Sequence, residues 1–215
     1  MLLHEDRLFP AEETARKVAR SLYSRVAGLP IISPHGHTQA AWFAKNEPFS
    51  DPATLLVQPD HYIFRMLYSQ GVSLDDLGIG QPMVKDPRKV WRIFASHYYL
   101  FRGTPTRMWL DYAFQEQFGI AERLSEKTAD LYFDIISEKL RTPEFRPRAL
   151  YERFNIEVLS TTESPLDQLE DHKAINASGW KARIIPAFRP DPVVDPEYVG
   201  FSGLVAKLGE QNGEN

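Results

Sequence analysis

Two short β-rich runs enclose a helical segment near the end of the chain, and this order limits the possible folds more than any other feature. The runs are IEVLSTT (156–162) and ARIIPAFRP (182–190), and both are apolar enough to be buried strands. The segment between them (164–179) predicts a helix that Ser164 caps and Gly179 ends. Strands joined through a helix pair in parallel, and helices cover such a sheet. The sequence therefore predicts an α/β fold with a parallel sheet.

A third apolar run, LPII (29–32), lies far upstream and predicts the first strand of the same sheet. Between it and the second strand, residues 40–154 carry helical patterns throughout, which is too long for an ordinary connection. We therefore predict an N-terminal helix and first strand (1–39), an inserted helical subdomain (40–154), and strands two and three with their helices (155–215). Helices are predicted over residues 10–28, 86–101, 104–119, 125–140 and 143–154.

Three strands do not complete a parallel architecture. A parallel barrel needs about eight strands, and an open doubly wound sheet about five. We therefore expect this chain to be the first part of a longer protein.

The composition excludes several classes of protein. The chain has no cysteine, so a disulfide framework, a thiolate metal site and a cysteine nucleophile are excluded. Its formal net charge is −4 without a Lys/Arg block, which argues against nucleic acid as a partner. The first ten residues lack the apolar segment of a signal peptide, and no apolar run approaches the roughly 20 residues that cross a bilayer. We expect a cytoplasmic protein with no membrane partner.

Two histidines flank a glycine at the carboxyl end of the first apolar run, in the sequence PHGHT (34–38), and we predict that His35 and His37 end the first strand. Side chains two apart on a strand point to the same face, so His35 and His37 could both direct a ring nitrogen at one metal ion. Neutral imidazoles suit Zn²⁺ and similar metals. The alternative is that both are polar residues at a strand end that form backbone hydrogen bonds. The residues alone leave both interpretations open.

Four motifs in order carry a resemblance to a known family. They are PHGHT (34–38), DHYIFRMLYSQGV (60–72), STTESPLDQLEDH (160–172) and IIPAFRPD (184–191). The first resembles the His-x-His of the amidohydrolase superfamily, and together they resemble the uronate (glucuronate) isomerases. That resemblance implies a TIM-barrel-type fold like that of the metal-dependent hydrolases, incomplete in this chain, with a large helical insertion after strand one.

The resemblance also implies a reaction and its residues. The reaction is aldose–ketose isomerisation of a hexuronate, D-glucuronate to D-fructuronate or D-galacturonate to D-tagaturonate, by proton transfer from C2 to C1 through an enediol. By this resemblance His35 and His37 hold a divalent metal, which we expect to be zinc. Tyr62 and His61 are the catalytic residues by this resemblance: Tyr62 shuttles a proton or polarises an oxygen, and His61 forms a hydrogen bond with the sugar. Arg189 binds the carboxylate or the enediolate. The partner is a small hexuronate, and a homo-oligomer remains an open alternative.

The sequence departs from the family pattern at a few positions. Glu163 and Ser164 stand where members often carry two aspartates, and Gly36 stands where others have a different residue. An aspartate that the family carries after its last strand has no counterpart in these residues.

Structural roles compete with the functional ones. Asp60 could cap a helix that begins at His61, in which case Tyr62 would pack in the core. Arg189 could simply form an ion pair with Asp191 at the surface. Packing is predicted for the tryptophans, with Trp42 close enough to line the site. A packed core is predicted for His97 and a solvated surface for His172. The full list of tryptophans is Trp42, Trp91, Trp109 and Trp180.

Two other function classes remain open. The first is a metal-dependent hydrolase of the same superfamily, which would need further histidines after later strands. The second is a non-catalytic helical interaction protein, which would leave the histidines and Arg189 unexplained.

Overall fold

The computed structural model describes residues 3–80 and 86–214. The chain divides into two compact units. One, the helical unit, comprises Met1–Ala27 and Pro48–Arg146, and the other, the sheet unit, comprises Gly28–Glu47 and Pro147–Asn215. Each unit is continuous in space but not in sequence, because the chain leaves the sheet unit after Glu47 and returns at Pro147.

Helices make up most of the secondary structure. In chain order they are α1 Glu13–Val26, α2 Ala40–Lys45, α3 His61–Tyr68, α4 Pro87–Ser96, α5 Pro105–Tyr112, α6 Ala129–Leu140, α7 Pro147–Arg153, α8 Glu170–Ala177, α9 Asp191–Val194 and α10 Phe201–Gln211. Short 3₁₀ segments span Tyr98–Phe101, Glu126–Thr128 and Pro143–Phe145, and π-helical turns span Ala53–Val57 and Ala113–Gln117. Across the described residues, no helix is both long and apolar enough to cross a membrane.

The strands form one parallel sheet within the described residues. They are β1 Ile31–Ser33, β2 Ile156–Glu163 and β3 Arg183–Phe188, in the order β1-β2-β3. Both neighbouring pairs are parallel, with Ile31 opposite Ile156 and Val158 opposite Arg183. The predicted parallel sheet is confirmed for all three runs.

One apolar cluster joins the sheet to its helices. Its buried members are Ala40, Phe43, Tyr151, Leu159, Ile175 and Ile184, from α2, α7, β2, α8 and β3. The rings of Phe43 and Trp180 stack with their centroids 6.0 Å apart. Because each helix contributes to the same core, α2 and α8 are fixed against the face of the sheet.

The side chain of Arg148 fastens α2 to α7. Its Nε donates to the carbonyl of Phe43 at 2.8 Å, and a terminal nitrogen donates to the carbonyl of Ala44 at 3.2 Å. These are carbonyls of the last turn of α2, which have no partner inside the helix. The guanidinium also lies 5.0 Å from the ring centroid of Trp180. A short helix of six residues is thereby held in place.

Helices α4 and α5 of the helical unit begin where the sequence predicts, whereas α1 and α6 begin three and four residues later than predicted, at Glu13 and Ala129. Asp86 accepts from the backbone N–H groups of Arg88 and Lys89, with Pro87 as the first helical residue. Thr104 accepts from Arg107 in the same way at the start of α5. The largest fully buried side chains of this unit are aromatic: Trp91, Phe94, Tyr98, Phe101, Phe114 and Tyr132.

The predicted start of the helix between β2 and β3 is wrong. Helix α8 begins at Glu170, because the preceding residues form hydrogen-bonded turns instead. The Ser164 hydroxyl accepts from the N–H of Leu166, and Asp167 accepts from that of Leu169 at 2.6 Å. Leu169 itself has a left-handed backbone, with φ 55°. Side chains that bond to nearby backbone in this way favour turns over a helix.

Burial differs from the sequence-based expectation at several positions. Helix α1 carries the expected apolar stripe, yet no side chain of α1 is buried within the described chain, and Val18, Leu22 and Val26 are all more than half exposed. Trp109, predicted to pack, is 63% exposed. His172, predicted to be solvated, is buried. Helix α10, near the end of the chain, was not predicted. Periodicity shows which face of a helix is apolar but does not show what covers that face.

Candidate active site

The carboxyl ends of the parallel strands bring three chain segments together in the sheet unit. The loop 34–39 follows β1, Ser164 follows β2, and Arg189 follows β3. The Thr162 hydroxyl donates to the carbonyl of Gly36 at 3.1 Å, which ties the first loop to β2. Residues at this end of parallel strands are those that typically bind ligands in α/β folds.

The two histidines lie in the loop, and the prediction that they end the strand is wrong. Strand β1 ends at Ser33, whose hydroxyl donates to the carbonyl of His35 at 3.3 Å. The rings of His35 and His37 remain neighbours, with centroids 5.2 Å apart and planes at 84°, and both are exposed. A Cβ at Gly36 would meet its nearest neighbours at 3.6 and 3.7 Å, which is ordinary contact. Other residue types therefore fit between the histidines.

A cavity of about 390 Å³ opens at this end of the sheet. It is lined by His37, Thr38, Gln39, Ala40, Ala41, Thr162, Glu163, Asp171 and Arg189. A second cavity, of about 490 Å³, shares Thr162, Glu163 and Arg189 and adds Ser164, Asp191, Pro192 and Tyr198. Both volumes lie in the range of small-molecule sites. The walls combine an imidazole, carboxylates and a guanidinium, which suits a polar and charged ligand.

Arg189 is both a cavity residue and a surface-pair residue. Its backbone N–H donates to the carbonyl of Glu163 at 3.2 Å, which extends the β2–β3 ladder. Its Nε lies 3.4 Å from Asp191, and both side chains are about 60% exposed. Such an exposed pair contributes only about 0–1 kcal/mol. The guanidinium can therefore turn to an anionic ligand at little cost.

Glu163 and His172 are not predicted as site residues, yet Glu163 lines both cavities and His172 contacts Glu163. Nε2 of His172 lies 2.9 Å from the hydroxyl of Thr161 and 3.8 Å from a carboxylate oxygen of Glu163. The sequence carried one signal: His172 and Ile175 are three apart, so both fall on the buried face of α8.

His61 and Tyr62 lie in the helical unit, in the first turn of α3. Asp60 caps that helix by accepting from the N–H of Tyr62 at 2.8 Å, as the structural interpretation predicted. The centroids of the His61 and Tyr62 rings are 4.2 Å apart, and Tyr62 is 65% exposed instead of packed in a core. Their convergence on the cavity of the sheet unit stays a prediction.

Trp42 lies in α2 next to Ala41, which lines the first cavity, and is half-buried. Its role in substrate binding also stays a prediction. His97, predicted to be in the core, is half-buried, and its Nδ1 lies 2.8 Å from the carbonyl of Ile93.

The residues fit part of a metal site. The neighbouring imidazoles of His35 and His37 are ligands of the type that Zn²⁺ prefers. Among the described residues, however, no group of three or more His, Asp or Glu side chains is placed to hold an ion. The pair is thus a partial set of donors.

Comparison with known proteins gives the family. The family model described as glucuronate isomerase matches residues 6–215. The chain belongs to the glucuronate isomerase family. It is 62% identical to a uronate isomerase of Rhizorhabdus wittichii, over 99% of this chain and 45% of the relative. It is 56% identical to a uronate isomerase of Phenylobacterium zucineum, with the same coverage of both.

Two crystal structures of family members have the same fold. The glucuronate isomerase of Caulobacter crescentus superposes with a TM-score of 0.93 at 52% identity, covering 98% of this chain and 45% of that one. The uronate isomerase of Thermotoga maritima gives 0.88 at 30% identity, covering 100% and 45%. The chain spans less than half the length of these glucuronate isomerase family members.

Proposed function

We propose that the protein containing this chain is a uronate isomerase that interconverts hexuronate aldoses and ketoses. The observation that supports this most is the charged cavity at the carboxyl end of the sheet, in a chain that matches the family from residue 6 to 215. A hexuronate offers one carboxylate and several hydroxyls. Arg189 suits the carboxylate, and Glu163 accepts hydrogen bonds from hydroxyls.

The sheet fits the first strands of a TIM-type barrel. The parallel order β1-β2-β3 and the site at the carboxyl ends of the strands are features of that architecture. The family members with solved structures are about twice as long, which supplies polypeptide for further strands.

The isomerisation transfers protons within the sugar and has no net change in oxidation state, so it needs no oxidant. The proton on C2 is removed and a proton is delivered to C1, while the O2 hydroxyl proton is lost and O1 gains one. An enediol is the intermediate. We assign the proton transfer or the polarisation of an oxygen to Tyr62, and a hydrogen bond to the sugar to His61. Arg189 holds the carboxylate, and its fork can also stabilise negative charge on the enediolate.

We also propose that His35 and His37 hold a divalent metal, zinc in the first instance. Such a metal would act as a Lewis acid towards sugar oxygens. The support for this is the adjacency of the two rings and their position beside the cavity that His37 lines.

The experiment is an assay of the purified full-length protein with D-glucuronate and D-galacturonate, in which ketose formation is measured. D-glucose is the matched control, because it keeps the aldehyde and the C2 hydroxyl but lacks the carboxylate. We expect turnover of at least one hexuronate and little turnover of glucose. Equal turnover of glucose would refute the role of the carboxylate, and no turnover of either hexuronate would refute the function.

A further inference from the structure

A buried histidine contacts the end of β2, next to the cavity wall. His172 is 6% exposed and lies on α8, one helical turn before Ile175, which belongs to the apolar core. Its Nε2 contacts two side chains of β2, the hydroxyl of Thr161 at 2.9 Å and the carboxylate of Glu163 at 3.8 Å. Neither the core nor the reaction described above accounts for a buried imidazole at this place.

The alternation of side chains along β2 explains the arrangement. Thr161 and Glu163 are two residues apart and therefore point to the same face of the strand, towards α8. Thr162 lies between them and donates to the loop that carries the histidines. The end of β2 is thus held on one face by His172 and on the other by Gly36.

The contact with Thr161 is the stronger of the two. Thr161 is fully buried, and its hydroxyl has the ring nitrogen at 2.9 Å and the carbonyl of Ile185 at 3.5 Å. A buried hydroxyl and a buried imidazole both need partners, so this pair fixes the position of the ring. With the ring fixed, its Nε2 edge lies 3.8 Å from a carboxylate oxygen of Glu163, whose side chain is only 18% exposed, so the imidazole limits where this carboxylate can lie.

We propose that His172 is a positioning residue and that Glu163 is a substrate-binding residue. This inference rests on the proposed isomerase function. Glu163 lines both cavities, and its backbone carbonyl accepts from the N–H of Arg189 at 3.2 Å. His172 holds the carboxylate where it accepts hydrogen bonds from hydroxyl groups of the sugar, while Arg189 on the next strand takes the sugar carboxylate.

The test compares two amides at position 172 in the full-length protein. In His172→Gln the side-chain nitrogen takes approximately the place of Nε2, whereas in His172→Asn it takes that of Nδ1. We expect His172→Asn to raise KM for D-glucuronate about 10-fold, the scale of one lost hydrogen bond to a charged group, and to change kcat less. The conservative variant His172→Gln should rescue most of this loss.

A double-mutant cycle separates positioning from general damage. If His172 acts through Glu163, His172→Asn should change KM less than about 2-fold when Glu163 is already Gln. An equal loss in both backgrounds, or equal KM values for the Asn and Gln variants, would overturn the proposal. If the Asn variant does not fold, Glu163→Asp replaces it, because it leaves the histidine intact and shortens the acid. An unchanged KM in Glu163→Asp would then refute the role of Glu163.

The two proposals fail in different ways. A folded wild-type protein without hexuronate turnover refutes the isomerase function and this inference together. An active wild-type protein whose KM is insensitive to positions 163 and 172 refutes this inference alone.

Discussion

Replacing Arg148 by Ala tests whether one side chain holds α2 beside the cavity. The variant loses the hydrogen bonds to the carbonyls of Phe43 and Ala44 and the contact with the ring of Trp180. The two carbonyls then lack these donors at a partly buried helix end. Hydrogen bonds from a charged group contribute about 1.5–3 kcal/mol, and a cation over a partly buried aromatic ring about 0.5–2 kcal/mol. Because such contributions are not additive, we expect a loss of about 2–4 kcal/mol.

The assay is urea unfolding of the full-length protein followed by circular dichroism. We expect the Arg148→Ala midpoint to fall with the slope unchanged. Arg148→Lys should lie between Ala and wild type, because lysine keeps the charge but loses the planar fork. Arg141→Ala is the matched control, since Arg141 is exposed after α6 and its loss should stay within about 0.5 kcal/mol. An Arg148→Ala loss no larger than that of Arg141→Ala would refute the reasoning.

Three further outcomes are expected. In the full-length protein, His35→Ala and His37→Ala should each lower zinc content measured by elemental analysis, and unchanged content would count against the metal site. Arg189→Lys should lower kcat/KM for D-glucuronate about 10- to 150-fold by losing a charge-assisted clamp, and wild-type kinetics would leave the surface pair as its role. Burial raises the pKa of Tyr98 above its usual value, so ionisation of this residue in the unfolded state should reduce stability as pH rises through about 10. Unfolding midpoints of Tyr98→Phe should fall less between pH 9 and 11 than those of the wild type.

Local signals were sufficient for much of the fold. Asp86 with Pro87 and Thr104 with Pro105 carry a cap and a first helical residue in adjacent positions, so the helix starts follow from nearby backbone chemistry alone. The strands that became β2 and β3 were predicted from their apolar runs almost to their ends. Their parallel pairing followed from the helix between them.

The remaining features depend on contacts distant in sequence. His172 follows an acidic residue, which predicts a surface group, but its ring is buried and contacts the buried Thr161 of β2. The stripe of α1 indicates a face that packs, yet Leu22 is exposed among the described residues. Arg189 was identified as a site residue from its motif, whereas Glu163 was noted only as a departure from the family pattern. The position of Glu163 on the cavity wall depends on the packing of β2 against α8 and the loop after β1, which its motif does not encode.

The discontinuity of the sheet unit has a consequence for how the protein folds. Strand β1 pairs with residues of β2 that lie about 125 positions later in the chain, such as Ile31 with Ile156, whereas β2 and β3 are near neighbours in sequence. The part of the loop-closure free energy that depends on length is about 4 kcal/mol for a flexible loop of this size. Strand β1 has only three residues whose pairing with β2 can offset this cost. The pairing of β1 should therefore form late and open first, so that amide hydrogens of Ile31–Ser33 exchange faster than those of β2. The histidine loop would then be assembled in the last step of folding.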